Sequence, residues 1–436
     1  MVRRRAAVVT TIERVHGRRV WDSRGRPTVE AEVHVAGGFV GRAIAPAGAS
    51  RGSGEAVDLR DGGAALGGMG VARACAGIDD VLGPALAGRD VQDQAGADAA
   101  MIAADGTPDR SRLGGNALCA VSLAVAQAAA AARSVPLWRH LAGDRAVTLP
   151  LPEIQIIGGG AHAGRALDLQ DLMVMPVGAG SFDEALVVVA DVYRAAGALL
   201  ADAGLLAGVA DEGGYWPRFR RNEDALDLVM RAIERSGHRP GDDVAISLDM
   251  AASELGRDGR YRLAVEDRTL DRDELALLWL RWLDRYPIAS VEDPFAEDDD
   301  LGWTRFAAAA AHRVQIIGDD YLVTNAARVA RAAAARACNA VLLKPNQAGT
   351  LTETAAAMTA ARAAGMATIV SARSGETEDV AIAHIAVGWA AGQLKVGSFA
   401  RGERMAKWNE VLRIEESLGA EARFAGAGAL AGYGRG

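Results

Sequence analysis

Between residues 244 and 395, six short apolar runs each deliver charged side chains at their carboxyl ends, and this serial pattern narrows the possible folds more than any other feature of the chain. Run 244–248 leads to Asp249, run 288–291 to Glu292 and Asp293, and run 314–318 to Asp319 and Asp320. Runs 340–343, 368–371 and 392–394 lead in turn to Lys344, to Arg373 and Ser374, and to Lys395. Helix-length segments separate the runs, as in βα units that build a mostly parallel sheet or barrel. A barrel gathers the carboxyl ends of its strands at one face, where active sites form. One acid after a strand is an ordinary helix cap, but carboxylates, two lysines and an arginine in serial register predict one charged mouth.

Upstream the pattern differs. Apolar and polar residues alternate over 12–20, 28–35 and 39–44, and Gly37-Gly38 joins two of these runs, which predicts an antiparallel meander with a tight hairpin. A loop of small residues follows at 47–54, with backbone amides able to approach an anion. An Ala-rich amphipathic segment over 116–133 is stopped by Ser134-Val-Pro136. Residues 1–145 are therefore expected to form an α+β domain and 146–436 the barrel.

Composition excludes several function classes. The net charge of −8 is spread without a basic block, which argues against nucleic acid or an anionic membrane as partner. Cys75, Cys119 and Cys338 form no CxxC pattern, so neither a disulfide framework nor a zinc site is indicated, and a reducing cytoplasm is expected. No signal sequence or membrane span is expected.

Lysine is the rare cation here. Only Lys344, Lys395 and Lys407 stand among 48 basic residues. Arginine keeps its proton, whereas a lysine out of water or beside other cations can lose it, so Lys344 is a candidate base. Asp249, Glu292 and Asp319 offer hard oxygen ligands suited to Mg2+. Such a pairing suits proton abstraction next to a carboxylate, with Lys395 and the ion's charge expected to lower the pKa of Lys344. Elimination then needs an acid, for which Glu212, in Asp211-Glu-Gly-Gly214, and Asp171 are candidates. Asp293 and Asp320 are expected to face away from the ion, since alternate strand residues do. Lys407 is expected to be structural.

Taken together with Asp22-Ser-Arg-Gly-Arg-Pro-Thr-Val-Glu30 and the stretches 208–215, 318–325, 374–379 and 413–416, these residues give a chain that resembles the enolase family over essentially its whole length. The resemblance implies an N-terminal α+β domain with a mobile active-site loop capping a modified (β/α)8 barrel. It also implies a homodimer or larger oligomer, and chemistry linking 2-phosphoglycerate with phosphoenolpyruvate. Residue by residue, Asp249, Glu292 and Asp319 match the tight Mg2+ ligands, and Ser50 the serine that joins a second Mg2+ bound with substrate. Lys344 matches the base and Glu212 the acid. Arg373 and Ser374 match the phosphate clamp, Lys395 the carboxylate contact, and His162 the histidine of a mobile loop.

The departures gather on one side of this set. The family's Ser-His-Arg-Ser is Ser371-Ala-Arg-Ser374, its Gln-Glu pair is Gln170-Asp171, and its Asn-Ile-Ile-Asn-Gly-Gly is Gln155-Ile-Ile-Gly-Gly-Gly160. Arg51 replaces the loop threonine. Removal of an imidazole at Ala372 and gain of a cation at Arg51 suggest room for a larger, more anionic ligand. The expectation is a divergent paralogue similar to the carboxyphosphonoenolpyruvate synthases of phosphinothricin-type phosphonate biosynthesis, acting on a small phospho- or phosphono-carboxylate. An ordinary enolase and a non-catalytic binding protein of the same fold are the alternatives.

Overall fold

The computed structural model describes residues 10–434. By packing, the chain divides into two compact units, one of Met1–Ala47, Glu55–Arg145 and Pro345–Ala355, the other of Gly48–Gly54, Ala146–Lys344 and Ala356–Gly436. Loop Gly48–Gly54, read from the sequence as part of the first domain, packs with the second unit.

In the first unit, β1 (Ile12–Trp21), β2 (Pro27–Val35) and β3 (Val40–Ile44) form an antiparallel meander. In β1 the alternation is interrupted between Ile12 and Arg14, where the register with β2 shifts and Glu13 and Arg14 are both exposed between buried Ile12 and Val15. Helix Gly115–Ala132 packs on β2 and β3. Gly41 of β3 allows the contact: a Cβ there would lie 2.1 Å from the Ala124 carbonyl oxygen and 2.2 Å from the Ala128 nitrogen. By length and composition this helix could cross a membrane, which the sequence reading had not anticipated, but it is 89% buried inside the protein. Its uniform apolarity reflects contact on all sides.

The second unit is a closed eight-stranded barrel. Its strands are β4 (Leu151–Gly158), β5 (Asp171–Met175), β6 (Ala245–Asp249), β10 (Ile288–Glu292), β11 (Gln315–Gly318), β12 (Ala340–Leu343), β13 (Ala367–Ser371) and β14 (Gly392–Ser398). A small antiparallel sheet of β7 (Gly256–Arg257), β8 (Arg260–Leu263) and β9 (Arg268–Asp271) is inserted after β6. Strand β5 runs antiparallel to both β4 and β6, and the remaining barrel pairs are parallel. Reversal of β5 puts its first residue, Asp171, opposite Asp249, the last residue of β6. Asp249 in turn lies opposite Glu292, the last residue of β10. Three carboxylates thus reach one rim from strand ends of both directions.

The barrel interior is not wholly apolar. Gln315 and Gln393 exchange side-chain hydrogen bonds of 2.8 and 2.9 Å, and Gln315 also donates to Ser290 Oγ at 3.0 Å. Glu153 of β4 is fully buried nearby in the sheet, with Ser247 Oγ donating to its Oε2 at 3.2 Å and Oε1 without a partner. Apolar clusters, such as Leu151, Met175, Ala245, Ala289 and Leu430, fill other parts of the unit.

Candidate active site

One cavity at the carboxyl rim is lined by Ser50, His162, Gln170, Asp171, Glu212, Asp249, Lys344, Arg373, Ser374 and Lys395, together with small residues that include Ala372. Residues far apart in sequence converge here because the barrel strands end at one level. Asp319 and Glu292 join through the lysines: Lys344 Nζ donates to Asp319 Oδ2 at 2.5 Å, and Lys395 Nζ donates to Asp249 Oδ2 and Glu292 Oε2, both at 2.8 Å. Gln170 Nε2 donates to Asp249 Oδ2 at 3.0 Å. Arg51 is exposed and does not line the cavity, so it adds no cation to it.

The electrostatics follow from burial. Burial pushes Glu292 well above the usual carboxylate range, and the negative Asp249 adds to this. Burial pulls Lys344 down most strongly, yet the carboxylates of Asp319 and Glu292 act against it and the ammonium is left above its ordinary value. Arg373 and Lys395 both act to lower its pKa, which for Lys395 is the direction expected from the sequence. On the opposite wall His162 Nδ1 lies 3.3 Å from Glu212 Oε1. Burial disfavours the imidazolium, but Glu212 and Asp171 more than compensate and raise His162 to about 9. Burial opposes ionisation of Glu212 too, and His162 overcomes it, holding that carboxyl well below its usual range. Asp171 is raised by burial to about 6.

Asp249, Glu292 and Asp319 are buried, offer only oxygen donors, and include in Glu292 Oε1 an orphaned buried atom. That donor set fits a hard divalent cation such as Mg2+. The ammonium of Lys395 stands between two of them. Among the described residues two groups bring possible ligand atoms within 4.8 Å of one another, His162 with Asp171 and Glu212, and Asp293 with Asp319 and Asp320; the expected set of Asp249, Glu292 and Asp319 is not gathered to that span, since the lysine ammoniums stand among its carboxylates. Asp293 and Asp320, expected to face away, are thus gathered around Asp319. The backbone turns at Asp293, where φ is +40°, and strand alternation stops. Its carboxylate then accepts the Asp319 and Asp320 amides at 2.9 and 2.8 Å.

Loop Gly48–Gly54 meets the barrel through Arg373, whose Nη2 donates to the Ser50 carbonyl at 3.0 Å. A Cβ on Gly48 would lie 2.0 Å from that nitrogen and 2.6 Å from the Ser50 carbonyl oxygen, so a side chain there would have to displace both partners of the contact. Several supporting residues escaped the sequence reading. Fully buried Arg404 donates to the carbonyls of Arg373 and Ser374 at 2.7 and 2.5 Å, fixing the backbone of that pair. Lys407, expected to be structural, is fully buried on helix Gly402–Leu418 and lies 2.9 Å from Glu376, which in turn accepts the Arg373 amide at 3.1 Å. The rarity of lysine was the available signal for Lys407; nothing marked Arg404 among so many arginines.

Two of the departures from the family pattern prove to be connected. Gln155 Nε2 donates a very short hydrogen bond to Asp171 Oδ1, while Gln155 Oε1 accepts the Gly214 amide at 2.8 Å. One side chain is a methylene longer than the family residue, the other a methylene shorter, and they touch. Nor does Ala372 open a large space, for the cavity holds only ≈20 Å3.

Comparison with known proteins agrees with this architecture. Residues 12–141 match the family model "Enolase, N-terminal domain", and residues 146–432 match "Enolase, C-terminal TIM barrel domain". The chain is 50% identical over 423 residues to a protein named Enolase from Rubrobacter xylanophilus, covering 97% of this chain and 98% of that one. Such identity to a protein of that name, over nearly the full length, overturns the expectation of a specialised phosphonate-pathway paralogue. Two family models that together span almost the whole sequence, on a barrel with one reversed strand and a carboxylate-lined rim, establish that the chain belongs to the enolase family.

Proposed function

We propose that the protein is an ordinary enolase, a Mg2+-dependent lyase that dehydrates 2-phosphoglycerate to phosphoenolpyruvate and works as a cytoplasmic homo-oligomer. Lys344 takes the proton from the carbon next to the substrate carboxylate. The hydroxyl on the neighbouring carbon leaves as water, with a proton delivered by the Glu212–His162 pair, and the carbon–carbon double bond forms. Because His162 is raised to about 9 and Glu212 is held ionised, the resting proton sits on the imidazole, which resupplies Glu212. Asp171 and Gln170 stand beside this pair, and Arg373 and Ser374 hold the phosphate while Lys395 faces the carboxylate.

Asp249, Glu292 and Asp319 would hold the tight Mg2+ and Ser50 would join a second one, supplying positive charge against the carboxylate as it gains electron density. A cation held by Asp319 and Glu292 would offset the two carboxylates that keep Lys344 protonated, leaving burial, Arg373 and Lys395 to lower its pKa. The observation that carries this reading is the arrangement of Lys344 and the Glu212–His162 pair along one cavity that also receives Arg373 and Ser374.

The test is an assay of phosphoenolpyruvate formation from 2-phosphoglycerate with Mg2+. Turnover at or above about 10 per second, the median for enzymes, is expected. Lys344→Arg keeps the charge but not a removable proton, and should cost on the order of 10² to 10⁴ in kcat with the circular dichroism unchanged. Absence of product with the wild-type protein would sink the assignment.

A further inference from the structure

A second cleft, of ≈440 Å3, lies outside the catalytic cavity and is lined by Arg257, Arg328 and Arg331. None of these guanidiniums forms an ion pair among the described residues, whereas Arg272, Arg285 and Arg313 of the same unit pair with Asp299, Asp227 and Asp284. Three like charges facing one space repel each other unless an anion joins them, and planar guanidiniums match phosphate oxygens in pairs. Glu297 and Asp298 also line the cleft and offset two of the three charges, leaving its lining positive by one. Glu297 is turned toward the loop, accepting Ser53 Oγ at 2.9 Å and the Ser53 amide at 3.1 Å. Asp298 is exposed and free to accept from a hydroxyl.

The cleft exceeds what a bare phosphate fills and falls within the roughly 300–1,000 Å3 of small-ligand pockets. We propose that it binds a small phosphorylated polyol, with phosphate on Arg257, Arg328 and Arg331 and hydroxyls on Asp298 and the flanking serines. Ser53 at this cleft and Ser50 at the catalytic cavity belong to the same short loop, so an occupant here bears on the loop that carries Ser50. That link to turnover rests on the catalytic reading; the binding itself does not.

Isothermal titration with glucose 6-phosphate tests the site, with inorganic phosphate and glucose as separate arms. The wild-type protein should bind glucose 6-phosphate more tightly than phosphate and should not bind glucose. Arg328→Ala with Arg331→Ala should weaken binding at least roughly tenfold, while Arg373→Ala, at the catalytic cavity, should bind as the wild type does. No heat with glucose 6-phosphate, unchanged affinity in the double variant, or loss in Arg373→Ala alone would each overturn the proposal. If the double variant loses its circular dichroism, Arg257→Ala on the exposed β7 edge decides: several-fold weaker binding upholds the site, and wild-type affinity removes it.

Discussion

Gln155 and Asp171 show how a site can change two residues and keep its geometry. The short carboxyl of Asp171 is met by the long amide of Gln155, which is itself held by the Gly214 amide. Asp171→Glu alone should therefore crowd that contact and displace the carboxylate by about an ångström, an error able to cost on the order of a hundredfold in rate. Gln155→Asn combined with Asp171→Glu should restore most of kcat; wild-type turnover by the single variant would show that the two residues are not coupled. Glu153 makes a second residue-scale case. Burial raises its pKa to about 7, with Lys395 pulling the other way. Its neutral form is the one the fold favours, so its contribution to stability is complete below about 4.5 and lost as pH rises through about 7. Glu153→Gln removes that loss: in EDTA it should raise the Tm at pH 8, by an amount equivalent to at most roughly 3 kcal/mol, and change it little at pH 5. An equal effect at both pH values would contradict the titration. No local pattern announced Glu153, because an acid inside an apolar run is indistinguishable in sequence from one on a strand's outer face.

Among the elements, the meander and the long helix of the first unit were legible because each carries its own periodicity. Their contact was not, since it depends on which strand residue lacks a side chain. Gly41→Val should force that helix and β3 apart and destabilise the protein by about 1–3 kcal/mol, the range for overpacked cores, seen as a lower midpoint in urea unfolding. An unchanged midpoint would mean the approach relaxes freely. The reversal of β5 was also missed. Its apolar run reads like any buried strand, and direction is encoded only indirectly: residues 159–170 between β4 and β5 contain one 3-10 turn, Gly160–Ala163, rather than the helix a parallel crossover ordinarily uses. Helix Phe182–Asp202 illustrates remote support, its first amides being accepted at 2.9 and 3.0 Å by Glu415 from the end of the chain.

For the whole molecule, the buried carboxylates at the barrel rim predict that stability depends on a cation. Mg2+ should raise the Tm, contributing about 2.7 kcal/mol at a hundred times its Kd, and EDTA should reverse this. Asp249→Ala should abolish the Mg2+ response; a variant that still responds in full would remove Asp249 from the site. Legible in the sequence alone were the barrel class and the strand ends that carry Asp249, Glu292, Lys344 and Lys395, because strand periodicity and serial strand ends are local properties that one linear reading captures. Only the tertiary structure decided how those charges pair: Lys344 with Asp319, Lys395 between Asp249 and Glu292, Asp293 folded back onto the Asp319 and Asp320 amides, and Arg51 out in solvent. Pairing depends on separations of a few ångströms between segments 25 to 146 residues apart, and on how far each group is withdrawn from water. Neither quantity exists until the chain has closed the barrel.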